Sequence, residues 1–273
     1  MSATWVGDPP PPPAQIGPLG WLRVLGKGGI LGVVVFGGLG VLLLFRLIEA
    51  PLYGLRRPWT PFITQAVCRS AFWILGIGYS CSGPVLTGDG VIVANHASWL
   101  DIFALNAARR VYFVAKADVA GWPGIGWLAR ATGTVFIERS TAEAGRQRDL
   151  FARRLEAGHR LLFFPEGTST DGRRVLAFKP ALFQAMVDGG FPVQPASLAY
   201  TAPPGADPRF YGWWGDMGFG PHLVQILAQS RHGRVEVTFH PPLEASSFTD
   251  RKSLARAAEA TVRDGFEARV NSA

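Results

Sequence analysis

Two textures divide the chain. From Gly28 to Phe45, eighteen residues pass without a charge, with Val33-Val34-Val35 and Leu42-Leu43-Leu44 inside the run and Lys27 and Arg46 at its ends. Eighteen is near the lower limit for crossing ~30 Å of hydrocarbon, so the segment is expected either to span a bilayer or to bend back out of it. Its six glycines weaken an isolated helix but suit close packing against another. A buried core helix is the competing reading. A second apolar stretch, Phe62 to Tyr79, contains Gln65 and Arg69. An arginine at the bilayer centre costs roughly 2.5–3.5 kcal/mol, which assigns this stretch to the membrane interface. Arg56 and Arg57, between the two stretches, then lie at the cytoplasmic headgroups. Ahead of both, residues 1–20 include five consecutive prolines, Pro9 to Pro13, and are expected to form an extended, solvated tail. The first charge is Asp8 and no small-residue cleavage site follows the apolar run, which argues against a secretory signal.

From about residue 85 short β-like runs alternate with amphipathic segments. Strands are expected at Val91–Ala94, Val111–Val114, Thr134–Ile137, Leu161–Phe164, Val193–Tyr200 and Val235–Phe239. Between them, Ala142 to Ala157 places Leu150, Phe151 and Leu155 on one face among charged residues, the pattern of a surface helix with a buried stripe. A charged helix from Ser253 to about Val270 closes the chain. This alternation predicts an α/β sheet with helices on its faces. The divisions are a tail at 1–20, membrane-anchoring helices at 21–80 and one α/β domain at 81–273.

Composition narrows the class. The chain has 273 residues, of which 17% are charged, against about 25% in ordinary soluble domains. Lys and Arg number 27 and Asp and Glu 20, a net charge of +7. Apolar and basic together fit an anionic membrane surface better than nucleic acid, whose binders carry dense basic stripes. The apolar content excludes general disorder, and the amphipathic second half excludes a multi-span transporter. Cys68 and Cys81 match no zinc spacing and read as packing residues.

Two segments that follow apolar strands carry candidate chemistry. In Asn95-His96-Ala97-Ser98-Trp99-Leu100-Asp101, His96 can act as a general base and Asp101 can orient it from the first turn of a helix. The plainer alternative is helix capping by Ser98-x-x-Asp101, with His96 an ordinary turn residue. In Phe164-Pro165-Glu166-Gly167-Thr168, Glu166 either meets a substrate hydroxyl or is a solvated turn residue. Arg139, ending Gly133–Ile137 and Glu138, can grip a phosphate or a carboxylate.

Taken together and in this order, the three segments resemble the phospholipid/glycerol acyltransferase family, whose best-known members acylate lysophosphatidic acid. The likeness spans roughly residues 85–200. It implies a single acyltransferase domain, a mixed sheet flanked by helices, preceded by a membrane-associated helical segment. It also implies His96 as the base that deprotonates an acceptor hydroxyl, with Asp101 as its orienting partner. Arg139, Glu166, Gly167 and Thr168 are similar to the family's acceptor-binding segments, and Val193-Gln194-Pro195 to its apolar segment near the acyl channel. The hydroxyl would attack an acyl thioester of coenzyme A or acyl carrier protein, with no covalent acyl-enzyme, no metal and no other cofactor. The implied partners are membrane lipids and the acyl donor, with the site on the cytoplasmic face.

One position departs from the pattern: where the family commonly has Arg after Phe-Pro-Glu-Gly-Thr, this chain has Ser169. Arg173, Arg174 and Lys179 are the candidates to replace that headgroup contact. The run from Phe164 to Lys179, with Trp213-Trp214-Gly215-Asp216-Met217, resembles the branch that acylates lyso-ornithine lipid. No G-x-S-x-G elbow is present, and Gly121–Gly126 is broken by Trp and Pro, unlike a dinucleotide fingerprint. That segment is read either as a membrane-facing edge bearing Trp122 and Trp127 or as a loop packed on the core. His159, His222, His232 and His240 lack ligand spacing and read as structural or surface residues. The alternative of another class is a catalytically silent, membrane-associated lipid-binding protein of the same fold.

Overall fold

The computed structural model describes residues 4–84, 86, 88, 90–137 and 144–271. Seven strands, β1 (Gly78–Ser82), β2 (Val91–Ala94), β3 (Tyr112–Lys116), β4 (Val135–Ile137), β5 (Leu161–Phe163), β6 (Val193–Thr201) and β7 (Arg234–Phe239), form one sheet in the order β1-β7-β6-β2-β5-β3-β4. All neighbours pair parallel except β6 and β7, so the sheet is mixed, as expected. β2 and β5 are buried throughout, which is why they read as continuous apolar runs rather than alternating ones, and β6 is buried up to its last residue although it includes Gln194 and Ser197.

Helices cover both faces. On one lie α2 (Thr60–Leu75), α3 (Leu100–Ala108) and α7 (Phe219–Ala228), contributing Phe72, Leu105 and Ile226 to the core. On the other, α5 (Ala144–Glu156), α6 (Phe183–Gly189) and α8 (Arg251–Val270) contribute Phe151, Leu155, Met186 and Val262. The buried stripe expected on α5 is present in Phe151 and Leu155. α4 (Ile125–Thr132) precedes β4 and leaves Trp122 and Trp127 exposed. Cys68 is buried, whereas Cys81 is exposed on the edge strand β1.

The N-terminal region departs from its expected limits. α1 runs from Pro18 to Tyr53, 36 residues, or about 54 Å at 1.5 Å per residue. The flanking charges do not end it, because they find partners. Lys27 Nζ donates to Leu75 O at 2.8 Å and Gln229 O at 3.3 Å, and Arg46 pairs with Glu49 at 3.0 Å. Glu49 is fully buried and accepts from Trp59 N, Thr60 N and the Thr60 hydroxyl, tying α1 to the start of α2. Between these ends Gly38 lies against Val67, where an added Cβ would come within 2.4 Å of a methyl.

α2 packs between α1 and α3 and leaves Phe62 and Trp73 exposed. Gln65 and Arg69 donate to Ala107 O, at the C-terminus of α3. Tyr79 belongs to β1, which places the start of the sheet before residue 81. Residues 4–17 are extended and mostly exposed, as expected, but they are anchored at points along the domain, with Trp214 Nε1 donating to Asp8 O at 3.1 Å and Gln225 Nε2 to Ala14 O at 3.0 Å.

Candidate active site

The C-terminal end of β2 delivers Asn95 and His96. Asn95 is buried and makes a two-way bond to Leu198 of β6, Nδ2 to O at 2.9 Å and Oδ1 from N at 2.8 Å, extending the sheet by one side-chain rung. His96 follows at the mouth with its side chain 19% exposed. Its Nδ1 lies 2.7 Å from Asp101 Oδ2, and Asp101 is completely buried in the first turn of α3. Because a carboxylate only accepts, Nδ1 carries the hydrogen and Nε2 keeps its lone pair.

The two readings of Asp101 merge. Its Oδ2 also accepts the backbone N–H of Ala97 at 2.7 Å and Ser98 at 3.0 Å, which is the capping arrangement. One carboxylate therefore closes the turn that carries His96 and holds the imidazole. Tyr200, at the end of β6, donates to the other oxygen, Oδ1, at 2.6 Å. Burial, and then the adjacent Asp101 charge, hold its phenol well above its usual range, so it remains a donor.

The Phe164–Arg174 loop wraps His96 from the opposite side. Phe164 stacks on the imidazole, centroids 4.0 Å apart and planes 8° from parallel. Glu166 is 1% exposed and both its oxygens are taken, Oε1 by His96 N at 2.7 Å and Oε2 by Leu176 N at 2.8 Å. Thr170 N donates to His96 O at 2.9 Å. The main chain of His96 is thus clamped at both its N–H and its C=O. Both oxygens of Glu166 thus brace the backbone on either side of the site. Burial pushes Glu166 up to about 8, against the pull of its two backbone donors.

Gly167 turns the loop at φ 74°, which a side chain would strain. Thr168 and Ser169 are half-buried on its outer side, and Arg173, Arg174 and Lys179 are exposed. Arg174 pairs with the buried Asp171, Nη2 to Oδ2 at 3.0 Å. Thr170 and Asp171 are consequently engaged with the protein itself. Arg139 lies outside the described residues. Gln194 is buried in β6 between Val193 and Pro195, with Nε2 donating to Pro84 O and His240 O.

The other histidines are wired into the fold. His222 Nδ1 accepts from Trp99 Nε1 at 2.9 Å, His240 meets Ser197 Oγ at 2.7 Å, and His232 meets Tyr211 Oη at 3.1 Å. His159 stacks on Tyr112 and donates to Leu55 O. Sequence reading passed over Asn95 and Tyr200. The available signal for Asn95 was a polar residue directly after an apolar strand; Tyr200, in a strand that also holds Gln194 and Ser197, carried no comparable signal.

A family model described as Acyltransferase matches residues 82–199. The lyso-ornithine lipid O-acyltransferase of Rhodobacter capsulatus is 53% identical over 96% of this chain and 96% of its own length. The 1-acyl-sn-glycerol-3-phosphate acyltransferase of Neisseria gonorrhoeae is 32% identical over 72% of this chain and 78% of its own. Among solved structures, the 1-acyl-sn-glycerophosphate acyltransferase of Thermotoga maritima superposes with a TM-score of 0.66 over 91% of this chain and 95% of that one, at 23% identity. The matched span holds both segments that converge on His96, and with a relative this similar end to end, the chain belongs to the acyltransferase family.

Proposed function

We propose that the protein transfers a fatty acyl group from an acyl thioester, on coenzyme A or acyl carrier protein, to the free hydroxyl of a lysolipid, with lyso-ornithine lipid the preferred acceptor. The observation that carries the reading is the His96–Asp101 pair, clamped at a strand end with Nε2 left as the basic nitrogen. Nε2 removes the proton from the acceptor hydroxyl as its oxygen attacks the thioester carbonyl. The C–O bond forms, the C–S bond breaks, and the imidazolium returns its proton to the departing thiolate. Asp101 stabilises the imidazolium and keeps the tautomer without itself being protonated. The curated relative most similar among those described acts, by its name, on lyso-ornithine lipid, which supports the acceptor.

The same reading places the protein on a membrane, with the site on the cytoplasmic face. α1 turns Val33, Phe36, Leu44 and Leu47 outward while its inner side packs on α2 and α7. The helix is long and apolar enough to cross a bilayer, and its contacts with α2 and α7 along one side favour one-sided insertion in this reading. Beside it, a cavity of about 430 Å³ has Leu39, Leu43 and Trp127 in its lining with Arg46, Arg57 and Arg130. Aliphatic and indole surface beside guanidinium groups matches the boundary between acyl chains and anionic headgroups.

The test is thiol release from acyl-CoA with a lysolipid panel. His96→Ala is expected to lose at least ~10²-fold in kcat while staying folded and membrane-associated. Retention of more than about a tenth of the wild-type rate would exclude His96 as the base. Absence of lysolipid-dependent thiol release in the wild type would favour the silent lipid-binding alternative.

A further inference from the structure

The segment ahead of α1 lies across the outer side of the Phe164–Arg174 loop. Trp5 N donates to Thr168 Oγ1 at 3.2 Å, and the Trp5 ring meets Trp214 with centroids 6.3 Å apart. The Arg174 guanidinium carbon sits 5.2 Å over the Trp5 ring. Behind this tip, Asp8 O accepts from Trp214 Nε1, Pro9 O from Arg209 Nη1 at 3.2 Å, and Ala14 O from Gln225 Nε2. The five prolines stiffen the intervening chain, which lowers the entropy lost when it is held in one place. A ten-residue strap is thereby pinned at both ends, and its tip touches the loop that clamps His96.

Arg174 is the group that the strap controls. Asp171 engages its Nε at 3.3 Å and its Nη2 at 3.0 Å, while Trp5 covers the guanidinium face, yet the side chain remains 48% exposed. A guanidinium carries five N–H donors, so this pairing leaves capacity for a second carboxylate. An arginine already fixed in one rotamer loses less entropy on gripping a ligand than a free one.

We propose that residues 5–14 form the outer wall of the acceptor site, and that Trp5 is a positioning residue holding Arg174 where it grips an anionic group of the lysolipid headgroup. The inference rests on the acceptor reading above, in which that group is the α-carboxylate of ornithine. It assigns acceptor recognition to a segment far in sequence from the Phe-Pro-Glu-Gly-Thr motif, and gives Arg174 a task that the motif position Ser169 lacks the charge to perform.

The experiment is steady-state kinetics on the full chain in mixed micelles, with one acyl-CoA and varied lyso-ornithine lipid or lysophosphatidic acid. Trp5→Ala is expected to raise the acceptor KM about threefold or more, with kcat within about twofold and the donor KM unchanged. Trp5→Phe should restore most of the affinity, since it keeps an aromatic face under the cation. Arg174→Ala is expected to raise the acceptor KM roughly ten- to a hundredfold, and adding Trp5→Ala to it should cost nothing further. A wild-type acceptor KM in Trp5→Ala would overturn the proposal. So would a joint loss affecting both substrates, or additive losses in the double variant. If the wild type uses lysophosphatidic acid and ignores lyso-ornithine lipid, the acceptor reading falls. The strap then stands or falls on the same KM comparison made with the phosphate acceptor.

Discussion

Tyr200 and His96 hold opposite oxygens of one buried carboxylate, the phenol at 2.6 Å from Asp101 Oδ1 and the imidazole at 2.7 Å from Oδ2. With Ala97 N and Ser98 N also donating to Oδ2, the negative charge is spread over four donors. Removing the phenolic donor leaves more of that charge to stabilise the imidazolium. Tyr200→Phe is therefore expected to move the acidic limb of the kcat/KM–pH profile upward. Tyr211 lies tilted against Tyr200 with centroids 5.5 Å apart, but its hydroxyl meets His232 and Gly233 rather than Asp101. Tyr211→Phe should leave the limb in place. Equal shifts in both variants would mean that general repacking, not the bond to Asp101, sets the profile.

Asp101→Asn tests the double use of that carboxylate. An amide can present only one accepting oxygen, and its NH2 would face either Tyr200 or the three donors on the other side. The expected result is a kcat loss of at least ~10³-fold through the wrong tautomer, together with a stability loss of roughly 1–3 kcal/mol from the opened turn. Thermal unfolding and activity measured on the same preparation check both parts. An unchanged Tm would show that the turn does not depend on the carboxylate.

Which parts of this were legible in the sequence follows from how local each signal was. β2 and β5 declare themselves through unbroken apolar runs, and α5 through its single stripe. The His96–Asp101 pair was readable because both residues fall within one strand-to-helix turn. Other features depend on contacts distant in sequence. Lys27 and Arg46 look like helix boundaries until Leu75, Gln229 and Glu49 are seen to satisfy them. Glu166 looks like a surface turn residue until the His96 N–H, seventy positions away, is found at its oxygen. The proline run reads as a free tail because nothing local indicates that Trp214 and Arg209 receive it.

Two kinds of buried group, a carboxyl and a pair of imidazoles, give stability opposite pH slopes. Glu166 is pushed up to about 8 by burial, so between its ordinary value and 8 the folded state holds a proton that the unfolded chain has released. Stability then falls as pH rises across that window. His159 and His232 are each pushed down to about 4 by burial, so from 6.5 down to 4 the unfolded chain binds protons that the folded state refuses. Stability then falls as pH drops. In the overlap these contributions oppose one another and flatten the wild-type curve. Glu166→Gln is expected to lower Tm overall, because one backbone donor loses its acceptor, and to expose the histidine limb as a Tm that climbs from pH 4 to 6.5. A variant curve parallel to wild type over pH 4–8 would remove Glu166 from the account.

Membrane attachment is testable without deleting α1, whose inner side holds α2. Val33 and Leu47 are 74% and 72% exposed, so charging them leaves the core untouched. Val33→Glu with Leu47→Glu is expected to weaken co-sedimentation with anionic vesicles at least tenfold, since placing a carboxylate in hydrocarbon costs roughly 2–3 kcal/mol or more. Tm in detergent should be unchanged. Full vesicle binding by the double variant would show that this face of α1 does not enter the lipid.

Acceptor choice turns on how many cations face the headgroup. Thr170 and Asp171 are buried and already bonded, so neither offers a free partner to an ammonium group. What distinguishes a carboxylate from a phosphate monoester is then chiefly the second negative charge, which asks for a second grip. Ser169 is half-buried next to Thr168 and provides no charge, whereas Arg174 is a cation of the same loop held in place by Asp171 and Trp5. Ser169→Arg is expected to shift the kcat/KM ratio toward lysophosphatidic acid by roughly 1–3 kcal/mol, or about 5- to 160-fold. A competition assay with both lysolipids and one acyl thioester measures this directly. An unchanged ratio would place the headgroup away from position 169, and exclusive use of lysophosphatidic acid by the wild type would sink the ornithine reading while leaving the acyl transfer at His96 intact.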